Sequence, residues 1–210
     1  MRKVILALAI LCTIFSSCRK TPDFSQLSSQ FVVTTNYDKQ ANFGEYKTFY
    51  ISDTVANLGG KDADSVLTGD GAQKAIKAVT DNLTARGYVW TARENNPDLG
   101  VTVSVVKNLN VDVVYWGWWD GYPGYWDPWY WGWYYPYYYP YPYTSVYAYT
   151  TGTVITNIID LKNAVKNQAL TVVWNSDGFG AVGSDLNTNI QLGINAINQG
   201  FAQSPYLKTN

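Results

Sequence analysis

From Phe31 the chain alternates, with Phe31, Val33, Thr35 and Tyr37 on one side and Val32, Thr34 and Asn36 on the other. A period of two over seven residues predicts a strand with one face buried. A polar turn, DKQANFGEY, leads to KTFYIS (47–52), a second strand candidate. Residues 53–71 read as a Gly/Asp-rich loop. The period then changes to 3.6 over 72–86, where Ala72, Ala75, Ile76, Val79 and Leu83 fall on one helical face and Gly87 supplies a stop. A short strand at 88–90, a turn at Asn95-Asn96-Pro97 and a long alternating run from Leu99 to Val114 follow. That run changes phase near 107–110, as a bulge or bend would require. Beyond residue 149, TTGTVITNIID (150–160) and LTVVWN (170–175) flank a polar turn and read as a hairpin. A last helix, 184–203, places Leu186, Ile190, Ile194, Ile197 and Phe201 on one face before Pro205 ends it. Strands, helix, strands and helix in this order predict an α+β fold, with an antiparallel or mixed β-sheet covered by two helices.

Two segments stand outside this pattern. The first is MRKVILALAILCTIFSSC (1–18): Arg2 and Lys3, an apolar run of about twelve residues, then Ser16-Ser17 before Cys18. The run is too short to span a bilayer as a helix, which takes about 20 apolar residues. It predicts a lipoprotein signal peptide over 1–17, with lipidated Cys18 as the mature N-terminus and 18–30 as a tether to a single domain over 31–206. The sequence around Cys18 is similar to the bacterial lipobox, although Phe15 stands where Leu is usual. The similarity implies a diacylglyceryl group on the Cys18 sulfur and an added acyl chain such as palmitate. One chain binds a membrane marginally, whereas two anchor it. Arg19, by analogy with Gram-negative sorting, points to the outer membrane, with the periplasmic face favoured over the cell surface. Cys12 would leave with the signal, so no disulfide or thiol chemistry is expected of the mature domain.

The second segment, 115–149, reads YWGWWDGYPGYWDPWYWGWYYPYYYPYPYTSVYAY. It holds 7 of the 9 Trp, 13 of the 18 Tyr and 5 of the 8 Pro, and its only charges are Asp120 and Asp127. Prolines and glycines at this density exclude a continuous helix and argue against a central strand, so the segment reads as an insertion between two strands. Twenty aromatic rings amount to roughly 3,000 to 5,000 Å² of surface, far above the few hundred Å² that a soluble monomer exposes as one patch. Trp116, Trp118, Trp119, Trp126, Trp129, Trp131 and Trp133, with Asp120 and Asp127, are therefore the candidate binding residues. Trp and Tyr favour the headgroup interface of a bilayer. Flat rings beside carboxylates also suit a sugar polymer such as peptidoglycan, and aromatic anchors suit an envelope protein. Self-packing without a partner stands beside these readings.

Composition narrows the chemistry. There is no histidine, so Ser-His-Asp and Cys-His nucleophile systems and histidine metal sites are excluded. With 15 basic against 16 acidic residues there is no basic field for nucleic acid. Asp62, Asp64 and Asp70 are spaced loosely like a calcium loop, but the terminal bidentate Glu is missing and a solvated loop is the simpler reading. Asp120 and Asp127 lack the rigid support that a glycosidase carboxylate pair needs. The expectation is a non-enzymatic protein with no cofactor and no metal.

The segments YDKQANFGEYKTFYI (37–51), AIKAVTDNLTARGY (75–88), PDLGVTVSV (97–105), TGTVITNIIDLKN (151–163), LTVVW (170–174) and FAQSP (201–205) occur in an order that resembles the bacterial lipoprotein domain of unknown function numbered 4136. The resemblance implies a cell-envelope lipoprotein with a compact α+β domain, and carries over no catalytic residues. It leaves the aromatic segment as a feature of this chain.

Overall fold

The computed structural model describes residues 31–58, 66–106, 152–167, 170–180 and 182–210. Its strands are β1 (Val32–Tyr37), β2 (Thr48–Ile51), β3 (Val55–Leu58), β4 (Val66–Leu67), β5 (Val89–Trp90), β6 (Leu99–Val106), β7 (Thr153–Asp160) and β8 (Thr171–Phe179). Its helices are α1 (Asp70–Ala85), the four-residue α2 (Ala164–Asn167) and α3 (Leu186–Ala202). The fold is α+β with a mixed sheet. The order is β1-β8-β7-β6-β2-β5, and β3 joins β6 beyond β2 and pairs with β4. β1, β8, β7 and β6 are antiparallel neighbours, whereas β2 and β3 run parallel to β6 and β5 parallel to β2.

The alternation along each strand separates two faces. Phe31, Val33, Val101, Val103, Val154, Ile158 and Trp174 join Val79, Leu83, Ala196, Ile197 and Phe201 of the two long helices in one buried core. α1 and α3 run side by side in the same direction. Gly71 lies against Ile190 near their starts, Asn82 Nδ2 donates to Asn198 Oδ1 (2.7 Å), and Arg86 Nη2 donates to the Phe201 carbonyl (2.8 Å) near their ends. Gly87 stops α1 at φ 90°, a left-handed conformation that glycine reaches without a Cβ clash. Asp185 caps α3, its carboxylate accepting from the Thr188 amide (2.7 Å), which holds its pKa below the usual carboxylate value. Asp98 ties the centre of the sheet together: its carboxylate accepts from the Lys47 amide (2.6 Å), and its carbonyl accepts from Leu161 and Lys162.

Three local expectations are corrected. The loop expected over 53–71 contains β3 and β4, because the far half of β6 offers a free edge that Ala56–Leu58 fill. The turn between β7 and β8 forms α2, started by Asp160, whose carboxylate accepts from the Asn163 amide (2.9 Å) and from the buried Tyr46 hydroxyl (2.9 Å). Burial beside that carboxylate raises the Tyr46 pKa. Leu186, assigned to the buried face of the last helix, is 68% exposed.

Candidate functional site

Cys18 and the nine candidate binding residues, Trp116, Trp118, Trp119, Trp126, Trp129, Trp131, Trp133, Asp120 and Asp127, lie outside the described residues, as do Asp62 and Asp64. Asp70, the third acid of the loosely calcium-like set, begins α1 and pairs with Lys74 (2.7 Å). The structure does fix where the chain enters and leaves the unusual segments. One row of paired positions crosses the sheet: Val33 opposite Gly178, Gly178 opposite Val154, and Val154 opposite Val105. β1 begins one residue before this row and β6 ends one residue after it. The start of the described domain at Phe31 and both roots of residues 107–151 therefore share one end of the sheet, the β7 and β6 roots lying two and three strand spacings from β1, about 10 and about 14 Å. The roots are closed against each other, with Val106 opposite Thr153 and the Gly152 amide donating to the Val106 carbonyl (2.8 Å).

Gly152 makes that closure possible. Its φ is 92°, and a Cβ there would stand 2.5 Å from Val182 Cγ1 and 2.8 Å from the Gly180 carbonyl oxygen. Gly152→Ala is expected to destabilise the domain by about 2 kcal/mol, combining left-handed strain with overpacking. Urea unfolding measures it, and a change below about 0.5 kcal/mol would show that the root is not constrained in this way.

The sheet face opposite the two long helices carries a feature that the sequence pattern did not reveal. β8 continues past Asn175, so Asn175 and Asp177 alternate with Trp174, Ser176 and Gly178 and point away from α3. Asn175 stands opposite Asn157, which stands opposite Thr102; Asp177 stands opposite Thr34 and Ile155. Asn175 Nδ2 donates to Asn157 Oδ1 (3.0 Å) and to Asp177 Oδ1 (3.1 Å). Asp177 Oδ2, Thr34 Oγ1 and Thr102 Oγ1 have no hydrogen-bond partner among the described residues. Asp177 is fully buried, and desolvation pushes its carboxyl up to about 7 against the donated bond from Asn175. It is thus a proton-binding group near neutral pH, held by a strand rather than a loop. Among the described residues no group of three or more Cys, Asp or Glu side chains is arranged to hold a metal ion, and no helix is long and apolar enough to cross a membrane.

The sequence model of DUF4136, a domain of unknown function, matches residues 33–206. The crystal structure of a DUF4136 family protein from Bacteroides thetaiotaomicron is similar at 37% identity with a TM-score of 0.72, covering 86% of this chain and 99% of that one. The PelC dodecamer from Paraburkholderia phytofirmans is similar at 15% identity and a TM-score of 0.41, over 86% of this chain and 99% of that one. A PDZ domain protein from Parabacteroides distasonis is similar at 15% identity and 0.46, over 85% of this chain and 37% of that one. No curated protein matches. A match across 33–206 and a 37% identical relative aligned over nearly its whole length establish that the chain belongs to the DUF4136 family, a domain of unknown function.

Proposed function

We propose that the protein is a non-enzymatic lipoprotein of the Gram-negative envelope, tethered to the outer membrane through Cys18, whose Trp/Tyr segment contacts the membrane interface. The observation that carries this reading is the shared end of the sheet: β1, which follows the tether, begins on the same side of the domain from which residues 107–151, which contain the 115–149 insertion, depart. Thirteen residues, 18 to 30, reach at most roughly 45 Å. A Cys18 anchored in lipid therefore keeps this end of the domain near the headgroups. Trp and Tyr favour that zone, and tethering raises their local concentration there, so that weak insertion suffices. The periplasmic leaflet is the favoured face. The alternative occupants are an envelope protein or a sugar polymer stacked on the rings beside Asp120 and Asp127.

Labelling with a palmitate analogue tests the anchor: wild type is expected to be tagged and Cys18→Ala not, and equal labelling of both would refute it. Tryptophan emission of the chain tests the segment. A blue shift with phospholipid vesicles and none with peptidoglycan or polysaccharide is the expected result. A shift with glycan alone would replace the membrane contact by sugar stacking, and no shift with either would leave a protein partner or self-packing.

A further inference from the structure

Three apolar side chains of the folded domain itself surround the end from which the tether and insertion leave. Val32, at the start of β1, is 68% exposed, and Val182, which touches Gly152 at the insertion root, is 39% exposed. Leu186 is 68% exposed, and its position follows from the direction of α3. That helix runs antiparallel to β8, since Ala196 lies over Gly178 and Phe201 stacks on Trp174. At 1.5 Å per residue, Leu186 is about 15 Å further along the helix than Ala196, and Gly178 is already one residue from the end of β8. The first turns of α3 therefore overhang the sheet on the tether side. This also explains why a helix whose later turns bury Ala196, Ile197 and Phe201 leaves Leu186 uncovered: among the described residues no strand reaches that far beneath it.

We propose that this end of the domain is a bilayer-docking surface on which Val32, Val182 and Leu186 enter the headgroup boundary. The proposal rests on the reading of Cys18 as a lipid anchor and adds an orientation: the sheet strands run toward the membrane, and the opposite end of the sheet, with β5 and α2, faces away. The occupant is a lipid surface because the chain ahead of Phe31 is short and, on that reading, ends in lipid. The contact is apolar rather than electrostatic. The ionisable groups described near this end are Asp70 with Lys74, Asp185 and the buried Asp177, which together create no basic field for anionic headgroups. Exposed Val89, Trp90 and Val165 belong to β5 and α2 at the opposite end and provide internal controls.

The test uses the full lipidated chain in vesicles of phosphatidylethanolamine and phosphatidylglycerol containing brominated phospholipid. On the reading above no free thiol remains after processing, so Val32→Cys, Val182→Cys, Leu186→Cys, Val89→Cys and Val165→Cys can each carry one bimane. The expected result is several-fold stronger bromolipid quenching at 32, 182 and 186 than at 89 and 165, unchanged in high salt. Equal quenching at all five positions, or quenching at the first three that salt abolishes, would overturn the docking surface. Flotation with the vesicles separates the two levels of the proposal. Protein that floats but is unquenched at 32, 182 and 186 keeps its anchor and refutes the orientation. Protein that fails to float refutes the anchor and the docking surface with it. Circular dichroism of each labelled variant identifies any that fails to fold, and Leu186→Ser, labelled at 182, gives a second reading in which quenching falls.

Discussion

Replacing Asp177 by Asn is expected to raise the stability of the domain at pH 8 and to remove most of its pH dependence between pH 5 and 7.5. The carboxyl is fully buried, accepts one bond from Asn175 and is pushed up from 3.8 to about 7 by desolvation. A raised folded-state pKa means that the folded protein holds the proton more tightly than the unfolded chain. The resulting stability is fully present below about pH 4, falls as pH rises and is gone above about pH 7. Three pH units correspond to a span on the order of 4 kcal/mol, of which roughly 3 kcal/mol is lost between pH 5 and 8. No imidazole obscures the window, since the chain has no histidine. The carboxylate of Asp185, shifted downward, acts at lower pH. The amide that replaces the carboxyl in Asp177→Asn keeps an oxygen for the Asn175 bond and has no charge to desolvate. Urea midpoints at pH 5 and 8 for both proteins decide the matter: parallel pH slopes would show that Asp177 is not the buried titrating group.

This residue also marks where the sequence stops being informative. In LTVVWNSDGF the Ser-Asp-Gly triplet has the composition of a turn, and local chemistry ends the strand at Asn175. Pairing on both edges, with β1 and with β7, carries it on to Phe179. The same non-local cause produces β3 and β4, whose four and two residues are too short to show a period and exist because β6 has an edge to fill. α1 was legible almost residue by residue, because its stripe and its Gly87 stop are local signals. α3 was legible in extent but not in burial at its start, since periodicity assigns Leu186 to a face without saying whether a sheet lies beneath it. For the candidate site, the sequence offers residues 115–149 as an expected insertion, and these lie outside the described residues. That both ends of residues 107–151 leave the sheet where β1 begins depends on pairings between positions as distant as Val33 with Gly178 and Val105 with Val154, which no local pattern encodes.

Phe201→Ala is expected to cost about 4 kcal/mol, among the largest effects of any single substitution in the described domain. The ring is fully buried, stacks on Trp174 with centroids 4.9 Å apart, and lies 5.0 Å beneath the Arg86 guanidinium. Its backbone carbonyl accepts from Arg86 Nη2, while Trp174 Nε1 donates to Ser204 Oγ (2.9 Å). The side chain thus closes the joint between α1, α3 and β8. Truncation removes its transfer energy and leaves a cavity beside a tryptophan that cannot collapse into it without losing the Ser204 bond, which places the cost in the range of roughly 3–5 kcal/mol typical of buried Phe→Ala. Phe201→Leu, which restores volume but not the stack, should fall between the alanine variant and wild type. Burial lowers the Arg86 pKa, so the guanidinium relies on its protein partners, and the ring is one of them. A double-mutant cycle of Arg86→Ala with Phe201→Ala should return a coupling of about 1 kcal/mol, the cation–π share of the joint. The urea midpoint should drop at constant m-value. A loss below about 1 kcal/mol for Phe201→Ala would show that the two helices are held to the sheet by the rest of the core, and zero coupling would leave Arg86 acting through its hydrogen bonds to the Asn82 carbonyl, Asn82 Oδ1 and the Phe201 carbonyl alone.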